Sequence, residues 1–379
     1  MLGRMVGLKH KGDRLRVAVL MGGPSSEHEV SLQGGQNVVA ALSREVFHVR
    51  PVVITKEGAW RMPRRRWEPP VPVAVEAAVE GEALSEAPSP RRGWDAHDSD
   101  GWREYAGPCE ALVALRDWDI DVAVPVLHGR FGEDGTVQAL LSAASIPFVG
   151  SDMAGSAVAF DKVRTKEVLG HHGIRTPDFD VIDVAGFTSG RRARIEAWGE
   201  RFGFPLIVKN PRGGSSVEVR IARDEGQVLT ALEELAPGAE RLMIEAFVEG
   251  RELTAGVLED REEGGPVSLP IVEIKPKGGG LFDYHEKYAQ DGAEEICPAP
   301  IDEAIAAEAR AIGLRVHQAL GLRGLSRTDL ILDRDGGLHF LEVNTLPGMT
   351  ERGLVPLAAA RHGLDFQGLV TSLVRTARL

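Results

Sequence analysis

The first 150 residues alternate short apolar runs with helical patterns, and this alternation constrains the fold more than any other feature. Strands are predicted at residues 16–21, 52–54, 122–127 and 147–150, and helices at 31–42 and 136–144. Such alternation is typical of a doubly wound parallel sheet, in which ligands lie beyond the carboxyl ends of the strands. Two polar motifs fall there, GGPSSE at residues 22–27 and HGRFGEDG at residues 128–135. Ser31 is the candidate cap of the first helix, and Pro125 indicates an irregular strand.

From about residue 151 the pattern predicts an α+β layer with an antiparallel sheet. Helices are predicted at residues 153–171, 191–202, 225–235 and 302–320, and strands at 206–209, 217–221, 242–247, 253–258 and 271–275. A hairpin joins strands 330–332 and 338–343 across Asp335-Gly336-Gly337. Residues 57–108 lack periodicity and predict an insertion on the surface. Residues 277–295 are Gly-rich and polar, which predicts a mobile lid.

Composition and charge exclude several classes of protein. The length of 379 residues is enough for two or three domains. The net charge of −12 argues against general nucleic-acid binding, which needs a basic surface. Cys109 and Cys297 cannot make a disulfide framework, so we expect a reducing compartment. No cleavable leader and no apolar run of about 20 residues is evident, so we expect a cytoplasmic protein without membrane insertion.

Three oxygen-bearing side chains lie at the ends of the predicted hairpin. Glu342 and Asn344 are two residues apart, so on a strand both face the same way, and Asp329 comes from the partner strand. Two carboxylates and an amide oxygen suit Mg²⁺, with a nucleotide phosphate supplying further ligands. An isolated Glu-x-Asn would more often be a pair of surface residues beside a turn. The nearby Arg327 and the PGMT run at residues 347–350 favour a site.

A second motif predicts an anion-binding loop. Lys209 ends a strand that leads into NPRGGSS at residues 210–216. Glycines let backbone N–H groups approach an anion, and Ser215 and Ser216 add hydroxyl donors. The loop is not a Walker A motif, and by itself it could be an ordinary turn. Lys162 lies near the middle of the predicted helix 153–171. A single lysine on a helix is usually a solvated charge, so it indicates a site only as a second lysine directed at the same phosphates.

Seven blocks in a fixed order carry a family resemblance. They are GGPSSEHEVSL, HGRFGEDG, FDKVRTK, VKNPRGGSS, FDYHEKY, SRTDLIL and EVNTLPGMT. In this order they resemble the D-alanine–D-alanine ligases, from about residue 16 to the C-terminus apart from roughly 57–108. The resemblance implies an ATP-grasp fold preceded by a doubly wound parallel-sheet domain. The implied divisions are an N-terminal domain at 16–150, a central ATP-grasp subdomain at 151–246, and a C-terminal subdomain at 247–379 with the metal and substrate site.

The resemblance also implies a role for each matching residue. In the donor site, Glu27 would hold the ammonium of the first D-alanine, and Ser215 would bond to Glu27 and Tyr288. The oxyanion would be stabilised by Arg327 and the N–H of Gly348. The remaining substrate contacts would come from His128, Gly353 and Leu354. The phosphates of ATP would be bound by Lys162, Lys209, Lys287 and Ser216. Glu245 and Val248 would line the adenine pocket, and Glu252 would bind the ribose. Two Mg²⁺ or Mn²⁺ ions would be held by Asp329, Glu342 and Asn344.

The implied reaction joins two D-alanine molecules into a peptidoglycan precursor through an acyl phosphate made from ATP. Some positions depart from the family pattern: Gly353 stands where a serine is usual, and Ala246 where a lysine often lies near the adenine. The acceptor is therefore open, and a relative that uses another D-amino acid or a D-hydroxy acid is the alternative. A non-catalytic nucleotide-binding regulator is a further alternative. A homodimer is one option for the assembly.

Overall fold

The computed structural model describes residues 14–64, 101–187, 190–213, 218–260, 264–276 and 293–379. Four predicted site residues lie outside the described residues: Ser215, Ser216, Lys287 and Tyr288. The predicted lid at 277–295 also lies outside them, apart from its last three residues. None of the helices in the described ranges has the length and apolarity needed to cross a bilayer.

The first sheet contains the parallel core that the sequence predicts. Its strands are β1 (Leu15–Gly22), β2 (Phe47–Ile54), β3 (Trp60–Pro63), β4 (Trp102–Tyr105) and β5 (Val122–Leu127), in the order β4-β3-β2-β1-β5. Strand β1 runs parallel to both β2 and β5, and its side chains from Val17 to Met21 are fully buried. Three helices accompany this sheet: α1 (His28–Ala41), α2 (Pro108–Asp117) and α3 (Thr136–Ala143).

Several details of the N-terminal prediction are wrong. Strands β3 and β4 and the start of α2 lie in the predicted insertion 57–108, and Trp60 and Met62 are fully buried. Helix α1 begins at His28, so Ser31 is not its cap. Its hydroxyl accepts from the N–H of Gly22 at 2.7 Å and donates to a β5 carbonyl, which joins two strands through the helix. The predicted strand 147–150 is reduced to bridges at Phe148.

The second sheet is small and wholly antiparallel. Helices α4 (Met153–Phe160) and α5 (Lys162–His171) precede it. Its strands β6 (Phe179–Asp183), β7 (Leu206–Lys209), β8 (Val219–Ala222) and β9 (Arg241–Ala246) pair in the order β6-β9-β7-β8. Helices α6 (Arg191–Phe202) and α7 (Glu225–Leu235) supply apolar residues to its core.

The single helix predicted at 153–171 is wrong, because the chain turns at Asp161. This residue has extended backbone angles, and its carboxylate accepts from the N–H groups of Val163 and Arg164 at 3.2 Å. A short acidic side chain that satisfies the first free N–H groups of a helix favours a new helix start. Lys162 is therefore the first residue of α5 and not a residue in mid-helix.

The third sheet holds the predicted hairpin. Its strands are β10 (Gly250–Asp260), β11 (Gly265–Ser268), β12 (Val272–Pro276), β13 (Ala293–Ile296), β14 (Leu325–Asp333) and β15 (Leu338–Asn344). The main path runs β13-β12-β10-β14-β15, with β11 beside β10. The helices are α8 (Glu303–Ala319), α9 (Leu354–Arg361) and α10 (Phe366–Thr376). The predicted combination of a parallel α/β sheet with antiparallel α+β layers is confirmed. The predicted domain limits stay a prediction.

Candidate active site

Strands β14 and β15 bring the predicted metal ligands together. Asp329 pairs with Glu342 across the two strands, and Arg327 pairs with Asn344 two residues further along the ladder. A bulge between Asp329 and Leu330 shifts the register beside these residues. Bulges re-aim side chains, and they are common next to active sites. The hairpin therefore gathers one cation, two carboxylates and an amide at one end of the sheet.

Asp329 is the most buried member of this group and is heavily hydrogen-bonded. Arg327 donates to both of its oxygens, at 3.0 Å from Nε and 2.8 Å from a terminal nitrogen. The Thr254 hydroxyl donates at 2.5 Å, and the Asn344 amide lies 3.4 Å away. A two-point contact between guanidinium and carboxylate holds both groups in one plane. Asp329 thus fixes the orientation of Arg327 as well as offering oxygens.

Lys162 connects the hairpin to the phosphate loop. Its ammonium lies 3.0 Å from a carboxylate oxygen of Glu342 and donates to the Gly213 carbonyl at 2.9 Å. The backbone N–H of Lys162 donates to the Pro211 carbonyl at 2.9 Å. The preceding residue, Asp161, binds Arg212 of the same loop at 2.9 Å. The turn between α4 and α5 therefore positions both a lysine and the loop.

Lys209, at the end of β7, makes a buried ion pair with Glu245 of β9 at 2.6 Å. The other oxygen of Glu245 contacts Lys166 of α5, which ends the quoted FDKVRTK block but had no predicted role. Although burial opposes its ionised form, the two lysines hold the pKa of Glu245 below its ordinary value. Burial lowers the pKa of Lys166 to about 8 despite its carboxylate partner. A signal for Lys166 did exist, since it lies four residues after Lys162 on one helix.

The N-terminal sheet contributes Glu27, His128 and Glu133 from the loops after β1 and β5. Burial and the neighbouring Glu342 raise the pKa of Glu27 to about 6. Burial raises the pKa of Glu133 to about 7, although its carboxylate accepts from the Gly129 N–H at 2.8 Å. Burial, with Arg327 nearby, lowers the pKa of His128 to about 4, so its ring is neutral at pH 7. Sequence analysis missed Glu133, although it lies within a quoted motif.

Several of these groups line one cleft, which has about 300 Å³ of atom-free space. Its lining includes Glu133 from the first sheet region, Lys162 and Gly213 from the phosphate side, and Glu342 and Asn344 from β15. Anionic and cationic side chains thus line a polar cavity between three parts of the chain. Such a lining suits a highly charged ligand better than an apolar one.

The segment after β15 leads into α9. Gly348 has open space where a side chain would be, so its backbone is approachable. Gly353 precedes Leu354, the first residue of α9, and makes no side-chain cap. A Cβ at residue 353 would lie 2.8 Å from the Gly348 carbonyl oxygen, so the backbone could not accept a serine without moving. The free N–H groups at a helix start are suited to bind a carboxylate.

The oxygen ligands fit a divalent cation. Asp329 and Glu342 face each other in the β14–β15 ladder, and the Asn344 side chain approaches Asp329. Hard cations of this kind prefer carboxylate and amide oxygens, and Mg²⁺ commonly takes further oxygens from a substrate phosphate. The guanidinium of Arg327 contacts Asp329, and the ammonium of Lys162 contacts Glu342. Within the described residues, no cluster of three or more His, Cys, Asp or Glu forms a metal site by itself.

Two predicted nucleotide residues lie further along the chain. Val248 is half-buried in the link between β9 and β10, and Glu252 is buried in β10. The link begins two residues after Glu245, so the predicted adenine positions are close in sequence to the buried lysine cluster. The roles of Val248 and Glu252 in nucleotide binding stay predictions.

The antiparallel sheets, preceded by a parallel α/β sheet, define the ATP-grasp class of ligases. Family models described as the N-terminus and the C-terminus of D-ala D-ala ligase match residues 16–151 and 168–375. The chain belongs to the D-alanine–D-alanine ligase family. It is 35% identical to the D-alanine–D-alanine ligase of Syntrophotalea carbinolica, with 96% of each chain covered.

Two solved structures are similar over nearly the whole chain. One is the D-alanine–D-alanine ligase from Bacillus anthracis complexed with ATP, with a TM-score of 0.71, 26% identity and coverage of 96% of this chain and 97% of that one. The other is a D-Ala:D-Ser ligase from Enterococcus faecalis, with a TM-score of 0.75, 25% identity and coverage of 96% and 99%. The two relatives therefore share this fold and differ in the acceptor that their names state.

Proposed function

We propose that this enzyme joins two D-alanine molecules to D-alanyl-D-alanine, a peptidoglycan precursor, with release of ADP and phosphate. Family membership over nearly the whole chain supports this activity. The observation that carries the proposal is the contact of Lys162 with both Gly213 and Glu342. It joins the phosphate loop and the carboxylate hairpin in one cleft, as transfer of a phosphate to a carboxylate requires.

The chemistry explains why such a cleft is needed. A carboxylate does not react with an amine at neutral pH, whereas an acyl phosphate does. Its formation brings two anions together, so fixed cations must offset the repulsion. Lys162 and Lys209 would do so, together with Lys287 outside the described residues. Mg²⁺ or Mn²⁺ held by Asp329, Glu342 and Asn344 would supply further positive charge, and the family pattern favours two ions.

Attack of the second amine creates a tetrahedral oxyanion. Arg327 is a fixed cation, because Asp329 holds its guanidinium at two points. The accessible backbone of Gly348 supports its role as an N–H donor. One such donor typically lowers a barrier by about 3–4 kcal/mol. Glu27 would hold the ammonium of the donor substrate, and the start of α9 at Leu354 would receive the carboxylate of the acceptor.

The acceptor is proposed to be D-alanine, an amine and not a hydroxy acid. Tyr288 following Lys287 supports this assignment, because the family's dipeptide-forming members resemble this chain there. The missing side chain at Gly353 removes one hydrogen bond to the acceptor carboxylate, which predicts a weak apparent affinity at the second site. One lost bond to a charged group costs about 1.5–3 kcal/mol unless backbone groups replace it.

The test is phosphate release with ATP and Mg²⁺ over a panel of acceptors: D-alanine, D-serine and D-lactate, each with D-alanine as donor. Product analysis at neutral pH should show mainly D-alanyl-D-alanine. Predominant formation of the D-serine dipeptide or the D-lactate ester would assign another acceptor. Absence of phosphate release with every pair would contradict the ligase assignment.

A further inference from the structure

Lys166 has the most enclosed ammonium in the chain's described active-site region. Its side chain has 0% exposure, against 8% for Lys209 and 13% for Lys162. The ammonium contacts Glu245 of β9 and lies 3.4 Å from the Phe340 carbonyl oxygen of β15. Lys166 is therefore wholly enclosed by protein, whereas Lys209 and Lys162 each keep a small exposed fraction.

Glu245 has two lysine partners where one would balance its charge. Lys166 contacts one carboxylate oxygen and Lys209 contacts the other. The carboxylate side chain has only 3% exposure, so water cannot replace either lysine. A buried carboxylate without a cation is strongly unfavourable, whereas a carboxylate with one remaining lysine is not.

Nucleotide binding would give Lys209 a second anionic partner. If Lys209 binds the phosphates, as the proposed function states, its single positive charge is shared between the phosphates and Glu245, which weakens its ion pair with Glu245. The weakening of that ion pair is tolerable because a second lysine stays in place. We infer that Lys166 is a positioning residue that remains on Glu245 as a permanent counter-ion and so frees Lys209 to bind ATP. This inference rests on the proposed function, because it needs ATP to use Lys209.

The inference makes the free and bound proteins differ in their need for Lys166. In the free protein Lys209 can neutralise Glu245 alone, so the Lys166→Met variant should fold. In the nucleotide-bound protein, Lys209 would have to neutralise both Glu245 and the phosphates. Lys166→Met should therefore raise the dissociation constant of MgADP and the KM for ATP by roughly tenfold or more, with a smaller change in kcat.

The deciding experiment is a double-mutant cycle with Glu245→Gln. Removing the carboxylate removes the charge that Lys166 must balance, so Lys166→Met should change MgADP affinity less than threefold in the Glu245→Gln background. Calorimetry measures MgADP binding, and phosphate release measures KM and kcat. Lys166→Arg keeps the charge and should retain most of the wild-type affinity. A purely structural lysine would instead give the same loss in both backgrounds.

A matched control lies on the same helix. Arg164 makes an exposed ion pair with Glu167 at 2.7 Å, so Arg164→Ala should leave MgADP binding unchanged. If Lys166→Met does not fold, Lys166→Gln replaces it in the cycle, since it is uncharged but can still donate a hydrogen bond. Equal losses in both backgrounds, or no loss in either, would overturn the inference. Failure of the wild-type protein to bind MgADP would instead overturn the proposed function.

Discussion

Glu133 and Glu342 line the same cleft, and Glu27 is close enough to Glu342 for their charges to interact. Burial is the main cause of their raised pKa values, about 6 for Glu27 and about 7 for Glu133. Lys162 and Arg327 oppose the shift of Glu27, while Glu342 reinforces it. At the residue scale, Glu133 therefore keeps a large share of its proton at pH 7, whereas Glu27 is mostly ionised.

The first prediction concerns activity and the ionisation of Glu27. A protonated carboxyl cannot pair with the ammonium of D-alanine, so the ionised form is the active one. With saturating ATP, kcat/KM for the donor D-alanine should rise about tenfold per pH unit below pH 6 and then level off. Glu27→Gln should lower activity and remove this rise, while any further rise from the acceptor amine remains. A flat profile between pH 5 and 7 in the wild-type enzyme would contradict the assignment.

The second prediction concerns stability and Glu133. Its folded pKa lies above the ordinary value of 4.5, so the folded protein binds this proton more tightly than the unfolded chain. The stabilisation is full below about pH 4.5 and is lost as pH rises through about 7. Without nucleotide or metal, the free energy of unfolding of Glu133→Gln relative to the wild type should rise by roughly 2–3 kcal/mol from pH 5 to pH 8. Urea unfolding of both proteins at the two pH values measures this change. The same stability difference between variant and wild type at pH 5 and pH 8 would refute the prediction.

The third prediction concerns the metal ligand Glu342. Glu342→Gln keeps the shape but removes the charge next to Lys162, so turnover should fall at least about a hundredfold at ordinary Mg²⁺. The side chain is 30% exposed, so the free energy of unfolding should change by less than about 1 kcal/mol. Glu308→Gln on the exposed face of α8 is the control and should keep full activity. Near-normal turnover of Glu342→Gln would exclude it as a ligand.

At the element scale, two helix starts define the edges of the site. Asp161 caps α5 and binds Arg212 and Arg241, so a single carboxylate sets the position of Lys162 and of the phosphate loop. The start of α9 is different, because Gly353 offers no cap and packs its Cα against backbone oxygens. Local chemistry is decisive in the first case, and tertiary packing is decisive in the second.

The fourth prediction follows from the crowding at Gly353. Replacing it with the serine usual in the family should lower activity and not improve it, because the new Cβ would push on the carbonyls of Gly348 and Thr350. We expect a loss of about 1–3 kcal/mol of stability and a lower kcat. Gly353→Ala is the matched control, since it adds the Cβ without the hydroxyl. A serine variant with tighter D-alanine binding than the alanine variant and unchanged stability would show that the segment adapts.

At the scale of the whole molecule, the cleft depends on contacts between parts distant in sequence. Lys162 meets Glu342 across 180 positions of the chain, and Asp152 meets Arg323 at 2.6 Å. The chain end returns to the first sheet, where Arg378 exchanges backbone hydrogen bonds with Phe148 and binds Glu259 of β10. A ligand in this cleft contacts several of these parts at once.

The fifth prediction is that a nucleotide stabilises the whole molecule only with a divalent cation. A non-hydrolysable ATP analogue at about 100 times its dissociation constant should add about 2.7 kcal/mol to the free energy of unfolding. Thermal unfolding with Mg²⁺ should show this increase, and a chelator should remove most of it. A shift of equal size with and without the chelator would argue against metal ligation at Asp329, Glu342 and Asn344.

The sequence by itself determined most of the elements and the pairing at the heart of the site. Strands with strong apolar patterns were predicted within a few residues, since burial of alternate or continuous apolar positions is a local signal. The approach of Asp329 to Glu342 was predicted from the hairpin, whereas their direct pairing depends on the bulge after Asp329. The ordered blocks then indicated the family, which the family models confirm.

Only the tertiary structure decided which side chains are buried together, which of them form ion pairs, and which have shifted pKa values. The contacts of Asp161 with Arg212 and Arg241 come from two other segments, and the helical pattern of residues 153–171 could not reveal them. Trp60 and Met62 were assigned to a surface insertion because residues 57–108 lack periodicity, yet both side chains are buried in the core of the first sheet. Lys166 had no predicted role, and its enclosure by β9 and β15 is a feature of the fold alone. Burial and electrostatics depend on everything that packs around a residue, whereas a pattern along the chain reports only its neighbours in sequence.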